Sequence, residues 1–277
     1  MELENVSCVL CGSEEAVILQ KPQPVGLVKC RQCGLAFLNP RPSRSEHHRF
    51  HQPQYFHNYY NQTIEEFYSR KGPLYGRTKR LNELRLDVVR QYVQCGKLLD
   101  IGAGQGMFIT LARQSGFSVA ATDVMDYEAS YFRGKGYDYR TGYLDDIELP
   151  NAEFDAVTMW HTLEHTLNPH MTLMNAHRLL KAGGYVFVAV PNFDSLASRL
   201  KLIIGSNFFG ADSAEVHYFQ FTPATLQRLL AKCGFEVVGC RADIKDKLKP
   251  SWRGYILETV SAVMGCYPNI LCIARKV

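Results

Sequence analysis

Between Lys97 and Gly106 the chain runs through an apolar strand, an acid and three glycines at alternate positions, and a helical pattern follows from Met107 to Ser115. A strand, glycine turn and helix in that order commit the surrounding chain to a parallel α/β sheet whose helix N-terminus opens on a ligand. The details of the turn select the ligand. A dinucleotide site wants its third glycine at position 107, where helix and strand pack tightly, and Met107 stands there instead. Asp100 would repel a diphosphate at close range, yet it can accept a charge-assisted hydrogen bond from an ammonium group.

S-adenosylmethionine carries such an ammonium and no phosphate, so Asp100, Gly102, Ala103, Gly104, Gly106 and Met107 are expected to hold it. The next strand, 117–123, ends in Asp123 with Val124 beside it. A carboxylate there can accept from both ribose hydroxyls; the plainer alternative for Asp123 is a turn or cap aspartate. A further strand, 154–159, delivers Trp160 and His161 to the carboxyl edge of the sheet, where ligands bind in such folds.

The N-terminal segment carries a different signal. Cys8-x-x-Cys11 and Cys30-x-x-Cys33 have the spacing of a four-thiolate zinc site, and each pair is followed by a glycine, Gly12 or Gly34, which supplies the positive φ of a tight turn. A redox dithiol is the alternative, but such a motif normally occurs once, at a helix start. Four thiolates leave no open position, so this zinc is expected to be structural. The other five of the nine cysteines are scattered, a pattern of buried thiols in a reducing compartment. The chain opens acidic and lacks a long apolar run, so a cytoplasmic protein without a membrane span is expected.

His161-Thr162-Leu163-Glu164-His165 matches the inverted zinc-peptidase pattern. That motif needs a sustained helix, whereas Asn168-Pro169 follows at once, with Asn168 as N-cap and Pro169 as first residue of a new helix. The segment is therefore placed in a turn over the cofactor. His165 is the candidate base for a hydroxyl nucleophile, because imidazole titrates near neutrality; orienting the loop is its alternative role.

These stretches, with GYLDDIELPNAEFDAVTMWHTLEH and the later HYFQFTPATLQRLLAKCGFEVV, resemble the class I S-adenosylmethionine-dependent methyltransferases. Within them the likeness is to the group of quinone-biosynthesis O-methyltransferases and sugar or natural-product methyltransferases with N-terminal zinc knuckles. The resemblance implies a Rossmann-like, seven-stranded, mostly parallel sheet with its last strand antiparallel. It places Leu144 and Asp145 along the adenine, and His217 toward the pocket, although His217 can equally serve packing. Related quinone enzymes hold a divalent ion with two acids and a histidine where this chain has His161, Glu164 and His165; His161 argues against a hard cation, which prefers oxygen ligands, and no second metal is expected. His165, His161, Glu164 and His217 are the catalytic candidates.

The organisation expected is a zinc-binding knuckle over 1–42, a helical linker or cap over 43–93, and a methyltransferase domain over 94–277, with 192–220 and 243–266 as substrate covers. Leu81, Leu84, Val88 and Tyr92 predict an amphipathic helix over about 75–93, a second helix over 167–180 stops at Lys181-Ala182-Gly183-Gly184, and a strand follows over 185–190. His47, His48, His51 and His57 read better as one helix face or a pocket cap than as metal ligands. A small-molecule hydroxyl acceptor, saccharide or natural product, is the leading reading. With a net charge of only +4 and dispersed basic residues, an RNA substrate is the weaker one. A non-catalytic cofactor binder is the third, and nothing in the sequence sets an oligomeric state.

Overall fold

The computed structural model describes residues 2–22, 24–50, 63–204, 217–243 and 266–277. His51, His57, Phe208, Phe209, Trp252 and the apolar run 255–264 lie outside them. Short strands open the chain: β1 (Leu3–Glu4), β2 (Ala16–Gln20), β3 (Leu27–Cys30), β4 (Ala36–Leu38) and β5 (Arg41–Pro42). Three helices follow, α1 (Arg44–Phe50), α2 (Ile64–Arg70) and α3 (Pro73–Arg90). The alternating part comprises β6 (Lys97–Ile101), α4 (Met107–Gln114), β7 (Ser118–Asp123), α5 (Tyr127–Arg133), β8 (Asp138–Thr141), β9 (Phe154–Trp160), α6 (Pro169–Leu179) and β10 (Leu180–Pro191). It closes with α7 (Leu196–Ile204), β11 (Phe219–Gln220), α8 (Pro223–Lys232), β12 (Phe235–Ala242) and β13 (Asn269–Lys276).

Seven strands form one sheet in the order β12-β13-β10-β9-β6-β7-β8. Only β13 runs against its neighbours, pairing antiparallel with both β10 and β12, so the expected sheet is the one observed. The central strands β9, β10 and β13 read as near-continuous apolar runs because both faces are covered, whereas the edge strands β8 and β12 are partly exposed. Along β10 the side chains alternate: Val186, Val188 and Val190 pack with Leu173 and Leu179 of α6 and Leu226 and Leu229 of α8, while Phe187 and Ala189 pack with Leu86 and Val89 of α3 and Phe108 of α4.

The helix starts obey their caps. Asn168 accepts from the Met171 N–H at 3.1 Å and Pro169 takes the first helical position, as expected. The end of α6 differs from the expectation. The helix stops at Leu179, and Leu180 already pairs with Phe154, so Lys181-Ala182-Gly183-Gly184 forms an irregularity inside β10 instead of a helix cap. The 192–220 segment also departs from an irregular cover: it contains α7 and β11, and Phe193 and Phe219 are core residues, Phe193 against Leu27, Ala36 and Leu38. Cys240 and Cys272, expected as separate thiols, are opposite one another on β12 and β13 and form a disulfide with Cα atoms 4.1 Å apart. No helix among the described residues is long and apolar enough to cross a membrane.

At the head of α4, Gly106 has φ 65°, and a Cβ there would meet the buried Phe132 ring at 2.1 Å. Gly106→Ala is therefore expected to destabilise the fold by about 3 kcal/mol, the left-handed backbone and the overlap both contributing. Gly104→Ala, with no atom within 4 Å of the added carbon, should cost only about 1 kcal/mol. Urea denaturation of the two variants checks the difference.

Candidate active site

The glycine turn between β6 and α4 is held from three sides. Asp123, at the end of β7, accepts from the Gly104 N–H at 2.9 Å with one oxygen and from the Met125 N–H at 3.0 Å with the other. The phenol of Tyr139 donates to the Gly104 carbonyl at 3.1 Å, and that of Tyr68 donates to the Gln105 carbonyl at 2.8 Å. These bonds fix the turn while the outer side of Gly104 faces open space.

Beneath the turn, Asp100 is buried and accepts from Thr158 Oγ1 at 2.6 Å. Burial raises its carboxyl to about 7, against the pull of the Thr158 hydroxyl and the Arg85 charge. Arg85, on α3, is the opposite charge. It is buried, its guanidinium lies 4.7 Å from the Trp160 ring centroid and 3.6 Å from Asp243, and its Nε and Nη2 have no hydrogen-bond partner among the described residues. Burial lowers its pKa while Asp243 and Asp100 oppose that.

The HTLEH segment is not a sustained helix. Leu163–His165 make a single 3-10 turn after β9, and the next helix starts afresh at Pro169 with Asn168 as its cap. His161 has φ 57°, a left-handed conformation that costs a non-glycine residue about 1 kcal/mol and is tolerated where surroundings enforce it. Its Nε2 lies 3.3 Å from Asp243 Oδ2 and its Nδ1 3.4 Å from Glu164 Oε1. Glu164 is buried, and although burial raises its pKa, the imidazoles of His161, His165 and His217 outweigh that and hold it at about 2. The His165 and His217 rings meet edge to face at 4.5 Å between centroids. His47, on α1, bonds the Tyr143 hydroxyl at 2.8 Å and the His165 carbonyl at 2.9 Å, clasping the turn from outside.

A family profile described as a methyltransferase domain matches residues 43–239. The chain belongs to the methyltransferase family. It is 33% identical over 189 residues to the ubiquinone biosynthesis O-methyltransferase of Maricaulis maris, covering 65% of this chain and 71% of that one. It is 28% identical over 185 residues to the enzyme of the same name from Xanthomonas axonopodis pv. citri, covering 62% and 75%. Among solved structures, the 1,6-didemethyltoxoflavin-N1-methyltransferase of Burkholderia thailandensis, bound to 1,6-didemethyltoxoflavin and S-adenosylhomocysteine, superposes with a TM-score of 0.56 at 16% identity, over 95% of this chain and 99% of that one. A SAM-dependent methyltransferase of Thermotoga maritima does so with a TM-score of 0.52 at 21% identity, over 77% and 100%. The structural matches bear on fold; the family match makes this an S-adenosylmethionine-dependent methyltransferase.

In this methyltransferase the residues singled out from the sequence separate into groups. Asp100, Gly102, Ala103, Gly104, Gly106 and Met107 surround the turn, Asp123 ties it, and His161, Glu164, His165 and His217 cluster beyond β9. Leu144 is buried, whereas the Asp145 side chain is exposed and accepts from Asn175 of α6 at 2.7 Å. Arg85 and Tyr68 are site residues that the sequence reading does not single out, while His47 and Asp243 fall in segments expected only as a pocket cap and a substrate cover. For Arg85 a signal existed, since it lies four residues after Leu81 on the apolar stripe.

Cys8, Cys11, Cys30 and Cys33 bring their sulfurs within 4.8 Å of one another, with Cys8–Cys33 at 3.4 Å and Cys11–Cys30 at 3.5 Å. Sulfurs of a tetrahedral zinc site stand about 3.8 Å apart, given Zn–S bonds of about 2.3 Å. Gly12 and Gly34 have φ of 80° and 78°, the turns expected after each pair. The knuckle is joined to the larger sheet's helices: Arg228 donates to the Cys33 carbonyl, Lys232 to the Leu10 carbonyl, and β11 pairs with β4.

Proposed function

We propose that the protein transfers the methyl group of S-adenosylmethionine to a hydroxyl of a small-molecule acceptor. The observation that carries the reading is a pair of opposite buried charges that feel one another, Asp100 under the glycine turn and Arg85 over Trp160, with Arg85 Nε and Nη2 making no hydrogen bond among the described residues beyond the 3.6 Å ion pair of Nη2 with Asp243. A zwitterionic amino-acid tail satisfies both: its ammonium meets Asp100, and its carboxylate takes the fork of Arg85. Asp123 is assigned to the ribose hydroxyls, Leu144 to the adenine edge, and Trp160 to the wall beside the tail. When bound, S-adenosylmethionine supplies an electrophilic methyl on a sulfonium.

The chain's own residues then position and deprotonate the acceptor. Much of the rate comes from holding the oxygen in line with the methyl. His165, backed by the ionised Glu164 and edge-on to His217, is the base beside that oxygen, and His161 keeps Glu164 in place. Oxygen is preferred as acceptor atom because a hydroxyl needs such a base, and because the quinone-biosynthesis relatives are named O-methyltransferases. The four thiolates are assigned to one structural zinc.

Incubation with methyl-labelled cofactor and separate pools of hydroxylated aromatics, saccharides and RNA tests the reading. Label in a small-molecule ether is expected; label in RNA alone, or cofactor binding with no labelled product in any pool, would refute it.

A pH prediction follows from Asp100. Its raised carboxyl, at about 7, is largely protonated at pH 6 and ionised at pH 8, and the ammonium binds the ionised form. Cofactor affinity should therefore rise about tenfold between those values, with a proton released on binding. Calorimetry in buffers of differing ionisation enthalpy reads that proton, and Asp100→Asn should flatten the profile.

A further inference from the structure

The acid-acid-histidine arrangement implied by the resemblance is not what the chain assembles. His161 stands at its first position, and its Nε2 is turned to Asp243, which is itself buried and beside Arg85. A different set converges instead. One ligand atom each from Glu164, His165 and His217 lie within 4.8 Å of one another, His165 Nε2 being 3.9 Å from Glu164 Oε1. Glu164 is 1% exposed, and its carboxylate is met only by imidazoles standing off at 3.4 Å (His161) and 3.9 Å (His165), with no hydrogen bond to either oxygen among the described residues, so a buried anion held by long contacts has room for a closer ligand.

We propose that Glu164, His165 and His217 form a three-ligand site for one divalent transition cation of the zinc type, separate from the four-thiolate knuckle. Two imidazoles and one carboxylate suit zinc, cobalt or ferrous iron, whereas magnesium demands oxygen ligands. Ligand atoms around a tetrahedral ion stand about 3.4 Å apart for bonds of about 2.1 Å, so the cluster needs to contract by roughly 1 Å, within the reach of side-chain rotation. His161, at 3.4 Å from Glu164 and braced by Asp243, orients the carboxylate in the manner of an outer partner of a metal ligand. The His47 bond to the His165 carbonyl holds the ligand-bearing turn in place.

Three protein ligands leave a coordination position open, unlike the closed knuckle. Its use rests on the proposed acceptor site: a hydroxyl seated there gives its proton to solvent water and remains as the oxyanion, and His165 then serves as ligand in place of base. Cation binding itself does not depend on that reading.

Titration of the metal-stripped full chain with cobalt(II), followed by visible absorption without cofactor or acceptor, tests the site. Wild type is expected to take up two ions, one with thiolate charge-transfer absorption and one without. His217→Ala and Glu164→Gln should keep the thiolate-linked ion and an unchanged melting temperature while losing the other; His161→Asn should weaken it by about 10- to 100-fold. Uptake of the thiolate-linked ion alone by wild type, or an unaltered second ion in His217→Ala, overturns the proposal. So does displacement of the second cobalt by millimolar magnesium. Failure of methyl transfer would leave these spectra untouched, so the two readings fail separately.

Discussion

Asp123→Ala is expected to weaken binding of S-adenosylmethionine, and of its demethylated product, at least a hundredfold. The carboxylate has two duties. It accepts from the Gly104 and Met125 N–H groups, and it is assigned to the ribose hydroxyls. Charge-assisted hydrogen bonds are worth about 1.5–3 kcal/mol each, so loss of two to the ribose already exceeds a factor of one hundred. Loosening the turn adds to the loss. Asp123→Glu should recover part of the affinity, whereas Asp123→Asn, which keeps the shape and removes the charge, should recover less. Calorimetry with the demethylated product is the measurement. An affinity within threefold of wild type in the alanine variant would remove Asp123 from the cofactor site.

Loss of the knuckle metal should have an equally large effect on stability. Cys30→Ser is expected to lower the zinc content by one ion per chain and the melting temperature by roughly 8–16 °C, as a loss of about 4 kcal/mol implies for a domain of this size. Structural zinc contributes about 10–16 kcal/mol in small peptides, so this figure assumes that packing retains much of the fold. The loss should not stay local. Cys8, Leu10, Cys30, Leu35 and Phe37 share one apolar cluster with Phe219, Phe221, Leu226 and Leu229, so a loosened knuckle exposes the face of α8. Metal analysis and calorimetric melting of the same sample check both parts. An unchanged melting temperature in zinc-free protein would contradict the structural role.

The parts of this protein that depend on neighbours in sequence were legible. The strand, acid and glycine turn at 97–106, the Asn168-Pro169 helix start and the paired cysteine turns each declare their conformation within a few residues. What escaped depends on register and on long-range contact. Arg85 is, in sequence, one of several charges along an amphipathic helix, and only the folded sheet brings it beside Trp160 and Asp243. The pairing of Cys240 with Cys272 requires β13 to slot antiparallel beside β12 in one particular register. The Lys181–Gly184 stretch carries residues that suit a helix cap, but the pairing of Leu180 with Phe154 takes precedence. The resemblance points His217 toward the pocket without saying what it meets; its contact with His165 follows from β11 joining β4.

That last pairing sets an order of events for a nascent chain. Phe219 and Gln220 pair with Phe37 and Ala36 at the edge of the sheet formed by β2, β3 and β4, so the ribosome must add more than 180 residues before β4 acquires its second neighbour. At about 5–20 residues per second this is a wait of roughly 10–40 s. Throughout it, the four-cysteine segment has an open strand edge at β4, and the proposed zinc, captured early, would guard that edge until the late strand arrives.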